Sequence, residues 1–177
     1  MRILVASDTH GRKRPLCDLL LMHKEADWLF FLGDGIRDVE DVLQGFPAMS
    51  CRMVRGNNDL WKTADEDVPL LWQGTVAGKQ ILMTHGHVQE VKWGEDRLLN
   101  MAHAARTDIL LYGHTHQAVN RYEDGMYVLN PGSLGYDGTY GIIDITPVGI
   151  STRVASLLYM PTRKKPFGFV PNGFFAS

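Results

Sequence analysis

Side chains that can bind metal ions fall in clusters along this 177-residue chain, and each cluster comes just after a short apolar run. In order, the clusters are Asp8 and His10, then Asp34, Asn57, His85, and finally His114 and His116. In open sheets of alternating strands and helices, ligands bind outside the carboxyl ends of the strands, where loops from distant parts of the sequence converge. We therefore expect all of these side chains to form one site.

The clusters combine three Asp or Asn side chains with four imidazoles. This mixed oxygen and nitrogen set fits Mn, Fe, Zn, Co or Ni better than Mg or Ca, and it is too large for one ion. Two ions about 3.5–4 Å apart that share a bridging carboxylate would each receive four protein ligands. Such ions lower the pKa of bound water and stabilise a pentacoordinate phosphoryl transition state. Two divalent ions, less two carboxylates and one bridging hydroxide, leave one positive charge, which matches a phosphodiester monoanion.

Each cluster taken alone has a simpler explanation. An Asp-X-His or Gly-Asp sequence at a strand end is more often a turn or a cap than a metal site. The sequence Gly-His-Thr-His at 113–116 is more specific, because two imidazoles separated by one residue project the same way only from extended backbone. The ordered set of five clusters outweighs the simpler explanation. The basic run at 12–14, directly after His10, could reach a substrate phosphate, but a solvated run before a helix is its simpler interpretation.

The elements that must position these side chains follow from the apolar patterns. Short apolar runs predict strands at 2–6, 28–32, 51–55, 80–83, 109–112, 127–129 and 140–145. Helical patterns occur at 16–23, 36–43 and about 95–106, and Gly78 marks a hairpin before the strand at 80–83. We expect an α/β fold of two packed sheets with helices outside, with parallel strands early and antiparallel strands late in the sequence.

Composition limits the classes of partner and compartment. The formal net charge of −2 and the pI of about 6.4 provide no general basic field, so no long nucleic acid is expected as a partner. Only Cys17 and Cys51 are present, and no apolar run approaches the length of a signal peptide or a membrane span. We expect a cytoplasmic protein with no membrane partner. One domain at 1–160 is predicted, followed by a Pro-, Gly- and Phe-rich tail at 161–177, which packs on its own sheet or reaches a neighbouring subunit of a homodimer or homotetramer.

Five segments, in order, resemble the motifs of the calcineurin-like metallophosphoesterases, and particularly those of the small YfcE-type phosphodiesterases. They are Asp8-Thr9-His10, Gly33-Asp34-Gly35-Ile36-Arg37-Asp38, Gly56-Asn57-Asn58-Asp59, His85-Gly86-His87 and Gly113-His114-Thr115-His116. The stretch Asn130-Pro131-Gly132-Ser133 adds to the resemblance. The match spans most of the chain.

The resemblance implies a four-layer αββα sandwich of two mixed β-sheets flanked by helices, the metallo-dependent phosphatase fold. It also implies two divalent ions, most often Mn²⁺, with Ni²⁺, Fe²⁺, Co²⁺ or Zn²⁺ as alternatives. By the family pattern, one ion is held by Asp8, His10 and His116, the other by Asn57, His85 and His114, and Asp34 bridges them.

One departure from the family pattern concerns catalysis. Many relatives carry His in the third place of the Gly-Asn-His motif, where this chain has Asn58, and a neutral amide cannot deliver a proton to a leaving group. His87 is the first candidate for that role, although a structural role is equally open. Esters with acidic leaving groups should then react much faster than alkyl esters. Asp38 and Asp59 match motif positions outside the ligand places and are interpreted as residues that support ligands or turns.

The leading functional hypothesis is therefore a metal-dependent phosphodiesterase that uses Asp34, Asn57, Asn58, His85 and His87 on a small phosphodiester. The alternatives are a phosphomonoesterase or nucleotide phosphatase with the same site, and a protein-binding scaffold like the retromer subunit Vps29. A nuclease is a third candidate, which the lack of net basic charge disfavours.

Overall fold

A computed structural model of the chain describes residues 1–59 and 68–157, which form ten strands and three helices. In chain order the elements are β1 (Arg2–Ala6), α1 (Lys13–Met22), β2 (Trp28–Phe31), α2 (Ile36–Leu43), β3 (Ser50–Met53), β4 (Leu71–Val76), β5 (Lys79–Thr84), α3 (Asp96–Ala104), β6 (Ile109–Leu111), β7 (Ala118–Glu123), β8 (Met126–Pro131), β9 (Thr139–Thr146) and β10 (Gly149–Ser156). The predicted tail at 161–177 and the end of the predicted domain lie outside the described residues.

The strands form two mixed five-stranded sheets. The first has the order β10-β9-β1-β2-β3, in which β1, β2 and β3 are parallel and β9 and β10 pair antiparallel. The second has the order β4-β5-β6-β8-β7, with β5, β6 and β8 parallel and an antiparallel strand at each edge. The carboxyl ends of β1, β2 and β3 carry the first ligand loops, and those of β5 and β6 carry the others.

The alternation of side chains along β1 explains the layer order. Leu4 packs with Leu16 and Leu19 of α1 on the helical face of the first sheet, where α2 also packs. Ile3 and Val5 point to the opposite face and pack against the second sheet. Because both faces of β1 are covered, the strand is apolar and buried from Ile3 to Ala6, as parallel strands buried on two sides are.

The far side of the second sheet is covered by α3. Leu98 and Ala102, one helical turn apart, pack there with Leu82 and Leu110. The order of layers is therefore helices, sheet, sheet, helix. The α/β class and the four-layer sandwich of two mixed sheets are confirmed.

The prediction that late strands are antiparallel is wrong for β8, which runs parallel to β6. After β6 the chain forms the edge strand β7 and then turns back to form β8, which lies between β6 and β7. The strand β7 is therefore antiparallel to β8, and β8 is parallel to β6. The hairpin of β4 and β5 is confirmed. No helix among the described residues combines the length and the apolar composition that crossing a bilayer requires.

Candidate metal centre

The loops after β1, β2, β3, β5 and β6 meet at one edge shared by the two sheets. All of the side chains that the sequence singled out as metal ligands lie there, on both sides of the Asp34 carboxylate. The convergence follows from parallel strands, whose carboxyl ends point to the same edge.

One group of ligand atoms surrounds the carboxylate of Asp8. Asp8 Oδ1 lies 3.1 Å from His116 Nε2 and 3.5 Å from His10 Nε2. The two imidazole nitrogens are 3.2 Å apart. Two nitrogens and one carboxylate oxygen thus face a common point, which is the arrangement that a divalent ion requires.

A second group surrounds His85, which is fully buried. Its Nε2 atom lies 3.2 Å from both Asn57 Oδ1 and His114 Nδ1, and 3.5 Å from Asp34 Oδ2. Asp34 Oδ2 is also 3.9 Å from His10 Nε2, so this oxygen lies between the two groups.

The hydrogen bond made by His85 Nδ1 indicates which form its Nε2 atom takes. His85 Nδ1 lies 2.7 Å from the carbonyl oxygen of Leu32, which only accepts, so the Nδ1 hydrogen is donated there. In the neutral ring, Nε2 then presents a lone pair to the oxygens of Asp34 and Asn57. Burial opposes the charged ring, but the carboxylates of Asp34 and Asp8 outweigh it and raise the pKa of His85. The surroundings of His85 therefore favour a positive charge, as a metal ion at this place would supply.

The pKa of His114 moves the other way, because burial and the neighbouring His85 lower it to about 4. His114 is therefore neutral at physiological pH, as a metal ligand must be. Burial opposes ionisation of Asp34, but hydrogen bonds with His85 and Asn58 outweigh it and lower the pKa of this carboxyl well below its usual range. The donor set as a whole fits divalent transition-metal ions.

Hydrogen bonds fix the two carboxylates. Asp8 Oδ2 accepts from Ser7 Oγ at 2.5 Å and from the backbone N–H of His114 at 3.2 Å. Asn58 donates its backbone N–H to Asp34 Oδ1 at 2.8 Å and its side-chain amide to Asp34 Oδ2 at 2.5 Å. The Asn58 amide therefore orients Asp34.

Asp59 and Asp38 hold the loops that carry the ligands. The buried Asp59 accepts four backbone N–H bonds, three from the loop that begins at Asp34 and one from Gly56. Asp38 Oδ2 accepts from Thr9 Oγ1 at 2.6 Å and from Gly11 N at 2.8 Å. These contacts confirm the interpretation of both residues as supporting ones.

The backbone at the site is strained. Asp8, His10, Asp34, His114 and His116 all have φ between 48° and 68°, the left-handed region that non-glycine residues rarely adopt. Such residues concentrate at functional sites, where the surrounding structure enforces them. The segment 113–116 is therefore not the extended backbone that the sequence predicted, because a tight loop brings His114 and His116 to the site.

His87 lies at the border of the second group. Its ring centroid is 5.4 Å from that of His85 and 6.1 Å from that of His114. Its Nδ1 atom is buried and has no hydrogen-bond partner in the part of the chain that the structure describes. Burial and then the charge of His85 lower the pKa of His87. The structure thus brings His87 to the site, although not into a ligand position.

Tyr136 is a site residue that sequence reasoning missed. Its ring stacks on His116 at a centroid distance of 5.6 Å and an angle of 25°, and lies 5.4 Å from the His10 ring. Tyr136 belongs to a Gly-containing loop after β8, and no motif marks it as a neighbour of His10. The cue that existed was the Asn-Pro-Gly-Ser stretch just before it, which carries the chain from β8 to the site.

An open groove of about 580 Å³ extends from the metal centre toward α1 and α2. Its lining is polar and mixed in charge, and includes His10, Lys13, Asp34, Arg37, Asp41 and Asn58. A small substrate can therefore reach the ligand groups from solvent.

Comparison with known proteins gives concordant matches. Residues 1–147 match the model of the calcineurin-like phosphoesterase superfamily domain. Phosphodiesterase YfcE of Escherichia coli (strain K12) is 30% identical over 175 residues, which cover 81% of this chain and 88% of that protein. The structure of an archaeal phosphodiesterase is 26% identical, with a TM-score of 0.68 over 89% of this chain and 100% of that one. Zinc-bound Vps29 of Entamoeba histolytica, at 20% identity and a TM-score of 0.66, covers 88% of this chain and 99% of that one, and shows the fold alone.

Proposed function

Since the chain belongs to the calcineurin-like phosphoesterase superfamily and is a hydrolase of the metallophosphoesterase type, we propose that it cleaves a small phosphodiester at a binuclear metal centre. The observation that carries this proposal is the position of Asp34 Oδ2, 3.5 Å from His85 Nε2 and 3.9 Å from His10 Nε2, between the two ligand groups. A carboxylate in that position is suited to bridge two ions.

We assign the proposed ligands to two ions that share Asp34. Asp8, His10 and His116 hold one ion, Asn57, His85 and His114 hold the other, and Asp34 serves both. When bound, the ions supply hydroxide at neutral pH and stabilise the charge that develops on the phosphoryl group. Mn²⁺ is the first candidate, and Ni²⁺, Fe²⁺, Co²⁺ and Zn²⁺ suit the same donors.

The remaining side chains orient these ligands and the substrate. Asn58 is bonded to Asp34 and is a neutral amide, so it positions the carboxylate and cannot protonate a leaving group. His87 is our candidate for contact with the leaving group, because its ring lies at the border of the second ligand group, 5.4 Å from the His85 ring and 6.1 Å from the His114 ring. Its lowered pKa leaves the ring mostly unprotonated at neutral pH and so with few protons to give, and acidic leaving groups such as nitrophenol should therefore depart much faster than alkyl alcohols.

The surroundings favour a small substrate and a reducing compartment. The open polar groove and the net charge of −2 suit a small diester better than a long nucleic acid. Cys17 and Cys51 are both free, and burial raises the pKa of the Cys51 thiol to about 12, so the Cys51 thiol is unreactive. We therefore place the activity in the cytoplasm.

The fold likeness to Vps29 supports a second candidate, a scaffold that acts through its surfaces. The ordered ligand atoms around Asp34 favour the enzyme, because a scaffold has no need of buried, strained imidazoles and carboxylates. A phosphomonoesterase with the same metals differs from the proposed diesterase only in the substrate that it prefers.

A screen of metals against substrates tests the proposal. The purified chain, after elemental analysis, is loaded with each candidate ion and assayed with bis(p-nitrophenyl) phosphate and p-nitrophenyl phosphate. We expect metal-dependent turnover with preference for the diester, and a loss of at least about a hundredfold in Asp34→Asn and His85→Ala. The matched control is Asp124→Asn in the β7–β8 turn, which should retain activity. Turnover that survives both chelation and Asp34→Asn would refute the proposal, and preference for the monoester would replace the diesterase with a phosphatase.

A further inference from the structure

The loop after β8 is fixed against the Asp8 loop by several backbone contacts. Ser133 Oγ donates to the Asp8 carbonyl oxygen at 2.9 Å and accepts from the Tyr136 N–H at 3.1 Å, and Gly135 N donates to the same carbonyl at 3.2 Å. A Cβ atom at Gly135 would lie 2.3 Å from the carbonyl oxygen of Thr9, so only glycine allows this approach. The backbone at Tyr136 is therefore fixed against the Asp8 loop, although the residue is 55% exposed.

Tyr136 in turn holds Arg12. The Arg12 Cζ atom lies 4.3 Å from the centroid of the Tyr136 ring, within the range of a cation–π interaction. Arg12 Nη1 also donates to the Gly135 carbonyl oxygen at 2.9 Å. The same ring stacks on His116. Tyr136 therefore contacts both the guanidinium of Arg12 and an imidazole of the candidate metal centre.

The charge of Arg12 is available to a ligand. In the basic run at 12–14, Lys13 pairs with Asp41 and Arg14 lies 3.6 Å from Asp18, but no carboxylate within the described ranges pairs with Arg12. One of its five N–H donors is used by the Gly135 carbonyl. A guanidinium that is held by a ring and a carbonyl keeps both its charge and most of its donors, and its side chain is already ordered.

Resting on the proposed phosphodiesterase function, we propose that Arg12, positioned by Tyr136, binds a second phosphate group of the substrate. Two divalent ions with their carboxylates and hydroxide balance one phosphodiester charge, and Arg12 adds a positive charge beside that centre. Planar, multidentate donors suit phosphate oxygens particularly well. The substrate class is then a phosphodiester that carries an additional phosphate on one of its ester arms.

Two chromogenic diesters that differ only in that group test the proposal. They are the p-nitrophenyl ester of thymidine 5′-monophosphate and the same ester with a phosphate on the 3′ oxygen. For each protein we compare the ratio of kcat/KM for the 3′-phosphorylated ester to that for the unphosphorylated ester. Arg12→Ala should lower this ratio about tenfold, mainly through KM, and 0.5 M salt should reduce the ratio in the wild type.

Matched variants separate the role of Arg12 from a general loss of charge. Arg14→Ala removes the same charge two residues away and should keep the wild-type ratio. Tyr136→Phe retains the ring and should also keep it, whereas Tyr136→Leu should lower it in the same direction as Arg12→Ala. Calorimetric titration with thymidine 3′,5′-bisphosphate and with thymidine 5′-monophosphate gives a readout that does not depend on turnover.

The outcomes distinguish the two proposals. If neither ester is hydrolysed with any metal, the phosphodiesterase function fails, and calorimetry still decides whether Arg12 binds the second phosphate. If both esters are hydrolysed and Arg12→Ala leaves the ratio and the relative affinities within twofold of wild type, the proposed role of Arg12 is wrong. An equal fall of the ratio in Arg14→Ala overturns it as well, because the effect is then one of net charge.

Discussion

Replacing Asp59 by Asn converts one oxygen of a buried carboxylate into an N–H₂ group, and this carboxylate holds the loops of the candidate metal centre. Asp59 is 5% exposed and accepts four backbone N–H bonds. Its Oδ2 atom accepts from Asp34 at 2.7 Å and Gly56 at 2.8 Å, and its Oδ1 atom accepts from Gly35 at 2.9 Å and Ile36 at 3.1 Å. In the variant, the amide oxygen keeps two of these donors, while the amide N–H₂ meets the other two.

The magnitude follows from the bonds that are lost. Hydrogen bonds to a charged group contribute about 1.5–3 kcal/mol each, so losing two of them costs roughly 3–6 kcal/mol. This cost is a large share of the roughly 5–15 kcal/mol by which a domain is stable. Because Asp34 belongs to the same loop, metal affinity should fall by about 10- to 100-fold in addition.

Urea unfolding of the metal-free protein measures the first effect, and calorimetric titration with Mn²⁺ measures the second. Asp41→Asn is the matched control, because Asp41 pairs with Lys13 at the surface, with 51% of its side chain exposed, and should change stability by less than about 1 kcal/mol. If Asp59→Asn unfolds within about 1 kcal/mol of wild type, the carboxylate does not hold these loops, and our account of the site is wrong.

Three further predictions concern packing, pH and metal. In Gly56→Ala, the added Cβ atom would lie 2.2 Å from Asp34 Oδ1, which is too close for both atoms to stay in place. Elemental analysis should therefore find less metal in the variant, while its circular dichroism spectrum stays unchanged. Full metal content would contradict the contact. Hydrogen bonds from Arg2, opposed by burial, lower the pKa of Asp144, so its stabilisation is present above the ordinary Asp pKa of about 4 and is lost as pH falls through the lower folded value. Asp144→Asn should therefore destabilise by up to about 1 kcal/mol at pH 7, with a difference that disappears in acid; a difference that grows in acid would reverse the sign that we assign. Chelation should lower the melting temperature, and adding metal at a hundred times its Kd should restore about 2.7 kcal/mol; an unchanged melting temperature would show that the native state binds no ion.

The position of the site could be predicted because each apolar run that forms a strand of the site ends at a polar residue of a metal-binding type. The strand β1 is buried on both faces, and the apolar run ends abruptly at the polar Asp8 loop. The same change occurs after β2 at Asp34 and after β5 at His85. Strand ends can be read from such changes, and the topology of parallel strands then brings them together.

Contacts that depend on long-range packing could not be predicted. The edge strand β7 alternates between exposed and half-buried residues and gives a weak apolar signal, so the parallel pairing of β8 with β6 was missed. Tyr136 reaches His10 only because Ser133 and Gly135 bond to the backbone of Asp8. No local pattern of residues encodes a contact of that kind.

The central place of β1 in its sheet has a consequence for synthesis on the ribosome. Asp8 emerges 108 residues before His116, the imidazole that lies against its carboxylate. Until β9 is translated, β1 has a neighbour on one side only, and the backbone of that edge remains available for pairing with other chains. The Asp8 carboxylate is therefore made long before the site around it can assemble, because the site needs loops from strands of both sheets.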